Sequence, residues 1–205
     1  MVEQTDTGKR PDNESLNPDE LMAKIWQCLS NVSDPEVPVL TVLDLGVVRK
    51  IVLKLDGAEF ESEIDDLSTS ITSSPPKTPP EKISVLIQIT PTYTGCPAMS
   101  MIATNIKLEL IANGIKDVQV EEILSPAWTT DWMTESGKQK LKEYGIAPPQ
   151  AKARVEKMLF DVSNVPCPQC NSKNTEMISE FGSTACKSLY RCLDCREPFD
   201  YFKCH

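Results

Sequence analysis

The sequence predicts an α/β domain, a small mixed sheet with flanking helices, followed by a small β domain built around a metal. Runs of β-branched and apolar residues at 47–55, 83–89 and 115–124 read as the strands of the first domain. Segments with helical apolar spacing and end signals lie around and between them. Two Cys-x₂-Cys pairs near the C-terminus predict the metal.

In chain order, residues 1–16 are polar and acidic and read as a disordered tail. Asn17-Pro18-Asp19-Glu20 opens a helix, with Asn17 as cap and Pro18 in the first turn. Leu21, Met22, Ile25, Trp26, Cys28 and Leu29 give it one apolar face. Asp34-Pro35-Glu36-Val37-Pro38 is a turn-rich loop, and Val42-Leu43-Asp44-Leu45-Gly46 leads into the first strand. Residues 57–81 carry six acidic side chains, one lysine, many Ser and Thr and two Pro-Pro pairs. That composition predicts a flexible insertion between two hairpin strands. A helix is expected from Pro97 to about Ala112, with Asn113-Gly114 as its left-handed stop. Thr134 caps a last helix that ends before Gly145. The first domain therefore spans 17–145, a linker covers 146–164, and the small β domain covers 165–205.

Composition excludes several functions. The net charge is −9 across 205 residues, which opposes non-specific nucleic-acid binding. The last part, 165–205, holds five basic and five acidic side chains, so the excess charge lies upstream. No stretch approaches the ~18 apolar residues of a membrane helix, and no export signal is evident, so the expected compartment is the cytoplasm. The one histidine is His205. A Ser–His–Asp or Cys–His hydrolase would have to use that terminal residue as its base. There is no Gly-rich phosphate loop and no Glu-x-x-His pair for a di-iron centre.

Two places carry chemistry. Cys167-Pro168-Gln169-Cys170 and Cys192-Leu193-Asp194-Cys195 are two knuckles separated by 21 residues. Each knuckle can turn two thiolates toward one ion, and together they supply the four soft ligands that structural Zn²⁺ prefers. Iron or an iron–sulfur cluster, and a redox dithiol, are the alternatives. A domain this small cannot bury a sufficient core, so the metal would supply folding energy. Strands at 175–181, 185–191 and 197–202 complete the expected ribbon, while Cys186 and Cys204 are spare thiols. Asn171 follows the first knuckle where a left-handed residue is common. The second place is Cys96, at the start of a helix, where the dipole and free N–H groups favour a thiolate. Residue chemistry alone leaves two readings open: a reactive or metal-binding thiol, and a semi-buried capping cysteine. Asp34, Glu36, Asp44 and Asp131, each taken alone, read as cap or turn residues.

Asp34-Pro35-Glu36, Leu43-Asp44-Leu45-Gly46 and Thr90-Pro91-Thr92-Tyr93-Thr94-Gly95-Cys96-Pro97 resemble the SufT/MIP-type iron–sulfur assembly domain. The run 124–133, the segment Ile178-Ser179-Glu180-Phe181-Gly182-Ser183-Thr184-Ala185-Cys186-Lys187 and the ending 197–205 narrow the resemblance to the PaaD family of bacterial phenylacetate-degradation proteins. The likeness covers about 18–56, 82–149 and 165–205. It implies a subunit or accessory factor of the multicomponent phenylacetyl-CoA epoxidase system, which has an oxygenase and a flavin/[2Fe–2S] reductase. It implies a role in metal-centre maturation, with Cys96 as transient ligand for iron or a cluster and Asp34 and Glu36 as acidic helpers. Oxygenase and reductase subunits, and iron–sulfur carrier proteins, are then the expected partners. The ribbon would be a docking module presenting Phe199, Tyr201 and Phe202.

Overall fold

The computed structural model describes residues 17–63, 66–71, 82–149 and 165–203, with the backbone alone described at 66–71. The expected tail, most of the linker, part of the 57–81 insertion, Cys204 and His205 lie outside those residues.

Helix α1, Pro18–Ser30, begins where its signals predict: the Asn17 side chain accepts from the Asp19 N–H. Its buried face is Leu21, Met22, Ile25, Cys28 and Leu29. That face packs in one apolar core with a five-stranded sheet in which β3 (Asp66–Ile71), β2 (Ala58–Glu63), β1 (Val48–Leu55), β4 (Ile83–Ile89) and β5 (Asp117–Glu122) lie side by side in that order. Strands β1, Val48–Leu55, and β4, Ile83–Ile89, are antiparallel neighbours, as a hairpin reading requires. Strand β4 then pairs in parallel with β5, Asp117–Glu122, and the crossover between them contains helix α2, Ala98–Ala112. Gly114, at φ +92°, follows α2 as the expected left-handed stop.

The insertion is where the sequence reading needs correction. Ala58–Glu63 forms strand β2 against β1, and Asp66–Ile71 forms β3 against β2. Phe60 is fully buried, and Ser62 is buried and accepts from Trp26 Nε1 at 3.1 Å. The alternation Ala58, Phe60, Ser62 points one face of β2 at α1. Averaging 57–81 as one segment let the Ser, Pro and acidic residues further along hide that short pattern.

Asp44 joins the segment before β1 to the last helix of this domain. Its carboxylate accepts from the Thr41 N–H and hydroxyl, from the Thr134 hydroxyl and from Lys140 Nζ at 2.7 Å. Burial opposes its charge, but these donors hold the carboxyl below the usual range. Thr134 in turn caps helix α3, Glu135–Glu143, through the Gly137 N–H. Gly46 has φ +65°, and a Cβ there would lie 2.1 Å from the Trp132 carbonyl oxygen. Asp44 and Gly46 are thus structural, as cap and turn chemistry suggests.

The second sheet has the order β6-β9-β8-β7. Strands β7, Thr175–Ser179, β8, Lys187–Cys192, and β9, Pro198–Phe202, form the antiparallel ribbon. Its fourth member, β6, Ile146–Ala147, comes from the stretch read as linker and pairs in parallel with β9. The ribbon also packs on the first domain. Phe202 is buried edge-on against Trp128, with ring centroids 6.3 Å apart, and Trp128 donates to the Leu45 carbonyl. No helix among the described residues is long and apolar enough to cross a membrane.

The buried position of Phe60 generates a prediction. Phe60→Ala should cost about 3–5 kcal/mol, the usual range for removing a buried aromatic ring. Denaturant unfolding checks it. A loss below about 1 kcal/mol would mean that β2 does not belong to the core.

Candidate metal centre and the thiol–carboxylate interface

The two knuckles meet. The four sulfurs of Cys167, Cys170, Cys192 and Cys195 all lie within 4.8 Å of one another. Cys167 and Cys195 are 3.7 Å apart, and Cys170 and Cys192 are 3.6 Å apart. Tetrahedral thiolate ligation with bonds of about 2.3 Å separates sulfurs by about 3.8 Å, so the geometry fits one ion. The backbone is built for it twice over. Cys167 N–H donates to the Ser172 carbonyl, and Cys192 N–H to that of Glu197. Asn171 has φ +60°, as expected, and Arg196 occupies the equivalent place after the second knuckle with φ +69°. Arg196 was missed because arginine carries no signal for that conformation. Asp194 ties the knuckles together by accepting from Ser172 Oγ and Asn174 Nδ2.

Of the three residues expected to dock a partner, Phe199 and Phe202 turn inward instead. Phe202 is buried on Trp128. Phe199 is buried and stacked on Tyr190, and half-buried Tyr201 meets the edge of the same ring. Phe199 and Phe202 have the chain itself as their partner, because so small a sheet needs its aromatic residues for its own core and its contact with the first domain. Among the described residues, the large apolar side chains the ribbon exposes are Met177, Ile178, Phe181 and Leu193.

Three segments far apart in sequence come together around Tyr93. The first is its own loop between β4 and α2. There Cys96 is half-buried, its sulfur accepts from the Ala98 N–H, and the Tyr93 hydroxyl donates to it. The second is the 34–37 turn. Asp34 is buried and accepts from the N–H groups of Glu36 and Val37, both at 2.7 Å, which turns the chain so that the half-buried Glu36 faces the site. The third comes from the ribbon. Cys186, just before β8, is buried, with its sulfur 3.0 Å from Thr184 Oγ1 and 3.7 Å from Glu36 Oε2. The charges of Asp34 and Glu36 bear on both Cys96 and Cys186, and the Cys186 thiol meets Glu36. Cys186 could be singled out as a cysteine, but nothing in the sequence says which surface its loop meets.

The electrostatics reverse one expectation. Burial pushes the Cys96 thiol above its ordinary value. The Ala98 N–H and the Tyr93 hydroxyl pull it down without reversing that, and the Glu36 and Asp34 carboxylates add to the rise. The N–H groups at the helix start are real, but desolvation outweighs them. Cys186 is pushed up to about 11, first by burial and then by the same carboxylates. Asp34 is also raised by burial. A raised thiol pKa means little thiolate at neutral pH. Alkylation of Cys96 should therefore be slower at pH 7 than that of an unhindered thiol and should keep accelerating beyond pH 9. Timed alkylation with peptide mass analysis checks this. A Cys96 rate that levels off below pH 8 would contradict it.

Comparison with known proteins places these features. Residues 151–203 match the model of the PaaD zinc beta ribbon domain. An Escherichia coli (strain K12) protein, described as a putative subunit of 1,2-phenylacetyl-CoA epoxidase, is 44% identical over 181 residues, covering 88% of this chain and 92% of that protein. Among solved structures, a Bacillus anthracis domain of unknown function, DUF59, aligns with 59% of this chain and 91% of its own at 21% identity and a TM-score of 0.42. A Mycobacterium tuberculosis protein described as associated with [Fe-S] complex assembly and repair aligns with 69% of this chain and 94% of its own at 24% identity and a TM-score of 0.32. The identity to the Escherichia coli protein, sustained across both domains, shows that this chain belongs to the PaaD family.

Proposed function

We propose that this protein helps to mature the metal centres of a multicomponent phenylacetyl-CoA epoxidase, holding iron or an iron–sulfur cluster briefly at Cys96. The observation that carries this reading is the convergence of Cys96, Tyr93, Asp34 and Glu36 on one partly open face. A thiol beside two carboxylates can bind a transition metal, and an incomplete ligand set can release it. The name of the Escherichia coli relative supports the epoxidase system as the setting. The oxygenase and reductase subunits are then the recipients, and iron–sulfur carrier proteins the donors. In this reading the Cys₄ site binds Zn²⁺, the ion that a closed set of four thiolates favours, and its role is structural. Asp34 and Glu36 set the local charge that welcomes a cation.

That same name favours a second reading, in which the protein is a lasting subunit of the epoxidase itself. The two readings differ in what a deletion strain shows. A maturation factor, when absent, leaves the oxygenase or the reductase polypeptide present but short of metal. A lasting subunit, when absent, lowers turnover while the remaining subunits keep their iron. Iron and cluster content of both partners, measured beside activity, decides between them. We expect depletion in at least one partner, restored by the wild-type protein and not by folded Cys96→Ser. Normal metal content in both would end the maturation reading.

A further inference from the structure

The ribbon sheet meets the first domain with only part of one face. Strand pairing sets Lys187 opposite Phe202 and Leu189 opposite Asp200, so these four side chains share that face. Pro198, two residues before Asp200, lies on it too. Ile146 pairs with Asp200 across the other edge of β9 and extends it. At the Phe202 end the face is sealed by Trp128. Toward Leu189 and Pro198 it lines an open cleft of about 660 Å³. Glu36 and Tyr144 of the first domain and Phe181 and Ser183 of the ribbon are part of the same lining. The cleft therefore continues the contact between the two domains, a common place for binding sites.

The chain does not use up the polar groups of this cleft. Lys187 is only 5% exposed, and its nearest ionic partner is Asp200 Oδ2 at 3.9 Å, too far for a hydrogen bond. The Lys187 ammonium makes no hydrogen bond among the described residues. Asp200 itself accepts from Ser183 Oγ at 2.8 Å. An ammonium carries three N–H donors, and leaving them unfilled in a buried place is costly. Glu36 has no cation within ion-pair distance among the described residues, and its carboxylate accepts one long hydrogen bond, from the Cys186 thiol at 3.7 Å. Donors and an acceptor are thus both on offer. Two aromatic residues of the lining, Tyr144 and Phe181, are 58% and 60% exposed. Lys203 Nζ lies 4.2 Å from the centre of the Phe181 ring and donates to the Glu180 carbonyl, which steadies that loop.

A ligand that completes the cleft must bring an N–H group, a carbonyl oxygen and apolar bulk. An extended peptide brings all three without net charge. An anion suits the cleft less, because Glu36 and Asp200 outnumber the one lysine that lines it. The same balance opposes the phosphate groups of a nucleotide or coenzyme. Resting on the epoxidase setting proposed above but not on the maturation role, we propose that this cleft docks an extended segment of a partner polypeptide of that system. The segment sets a large apolar side chain against Tyr144 and Phe181, and its backbone carbonyl and N–H meet Lys187 and Glu36. This accounts for a buried lysine without a hydrogen bond, and for a ring left outside a sheet too small to spare aromatic residues. Docking stays with the ribbon but moves from its strand aromatics to the loop at Phe181.

Photo-crosslinking from the cleft tests the proposal. The full chain, its ribbon loaded with zinc and p-benzoylphenylalanine in place of Tyr144, is irradiated with the purified oxygenase and reductase subunits, and joined peptides are mapped by mass analysis. One partner should crosslink within a single segment that carries a large apolar side chain. Affinity for that partner is then compared among variants by titration calorimetry. Tyr144→Ser combined with Phe181→Ser should weaken binding at least about tenfold, as loss of aromatic anchors does. Lys187→Met should weaken it as well. Leu108→Ser combined with Ile111→Ser, at exposed apolar positions of α2, should leave it within about twofold. Retained zinc and an unchanged circular-dichroism spectrum show that a variant is folded. Wild-type affinity in the folded Tyr144/Phe181 variant, or in folded Lys187→Met, would overturn the proposal. So would crosslinks to a second copy of this chain alone, or a wild type that binds neither subunit. Normal partner metal in the deletion strain, with cleft-dependent binding intact, would instead remove the maturation role and leave the docking site.

Discussion

The arrangement depends on one contact, the packing of the ribbon on the α/β domain through Phe202 on Trp128 and Cys186 on Glu36. Trp128 is anchored from the other side, because its indole N–H donates to the Leu45 carbonyl in the segment that Asp44 and Gly46 hold in place. The ribbon therefore rests on a surface fixed by the first domain's own core. Phe202 and Cys186 belong to that core cluster, while Tyr190, Phe199, Cys167 and Cys192 form the ribbon's own small one. Such a small cluster cannot hold a hairpin by apolar burial alone, so its four thiolates and their ion carry much of the load. The same hairpin places Cys186 against Glu36.

The two groups of thiols differ in design. In the ribbon, four sulfurs lie close together, and the Cys195 N–H donates to the Cys192 sulfur. At the interface, the groups come from three segments and differ in kind. Burial, and after it the Glu36 and Asp34 carboxylates, push both thiols there above their ordinary range. On the maturation reading, a metal displaces those protons as it binds, which lowers its affinity and eases its release. On that same reading a cysteine without a depressed pKa suits transfer, because the requirement is exchange and a strongly stabilised thiolate would oppose it.

Much of this was legible locally. Asn17, Thr134 and Asn113-Gly114 marked helix ends through short-range chemistry, and they do so in the structure. The cysteine knuckles were legible because a metal imposes their spacing, and Asn171 because asparagine tolerates a left-handed backbone. What failed depended on tertiary surroundings. Strand β2 is specified by Phe60 entering the core and Ser62 meeting α1, surroundings that composition cannot show. Phe199 and Phe202 looked like free aromatic residues until the sheet closed over them. Cys96 sits at a helix start as expected, but its thiol answers to burial and to carboxylates brought from elsewhere. The Asp34-Pro35-Glu36 turn, the Cys96 loop and the Cys186 loop were each recognisable, but only the fold reveals that they meet.

The central claim is that the ribbon's metal supports the interface site through this contact. Amide hydrogen exchange, with peptide resolution and with the Cys₄ ion present or chelated away, tests it most directly. Chelation should expose the ribbon strands and also raise exchange in residues 34–37, 93–98 and 127–129, while β1 and β4 stay protected. Exposed ribbon strands with unchanged exchange in those three segments would show that the ribbon does not hold the site, and would contradict the account.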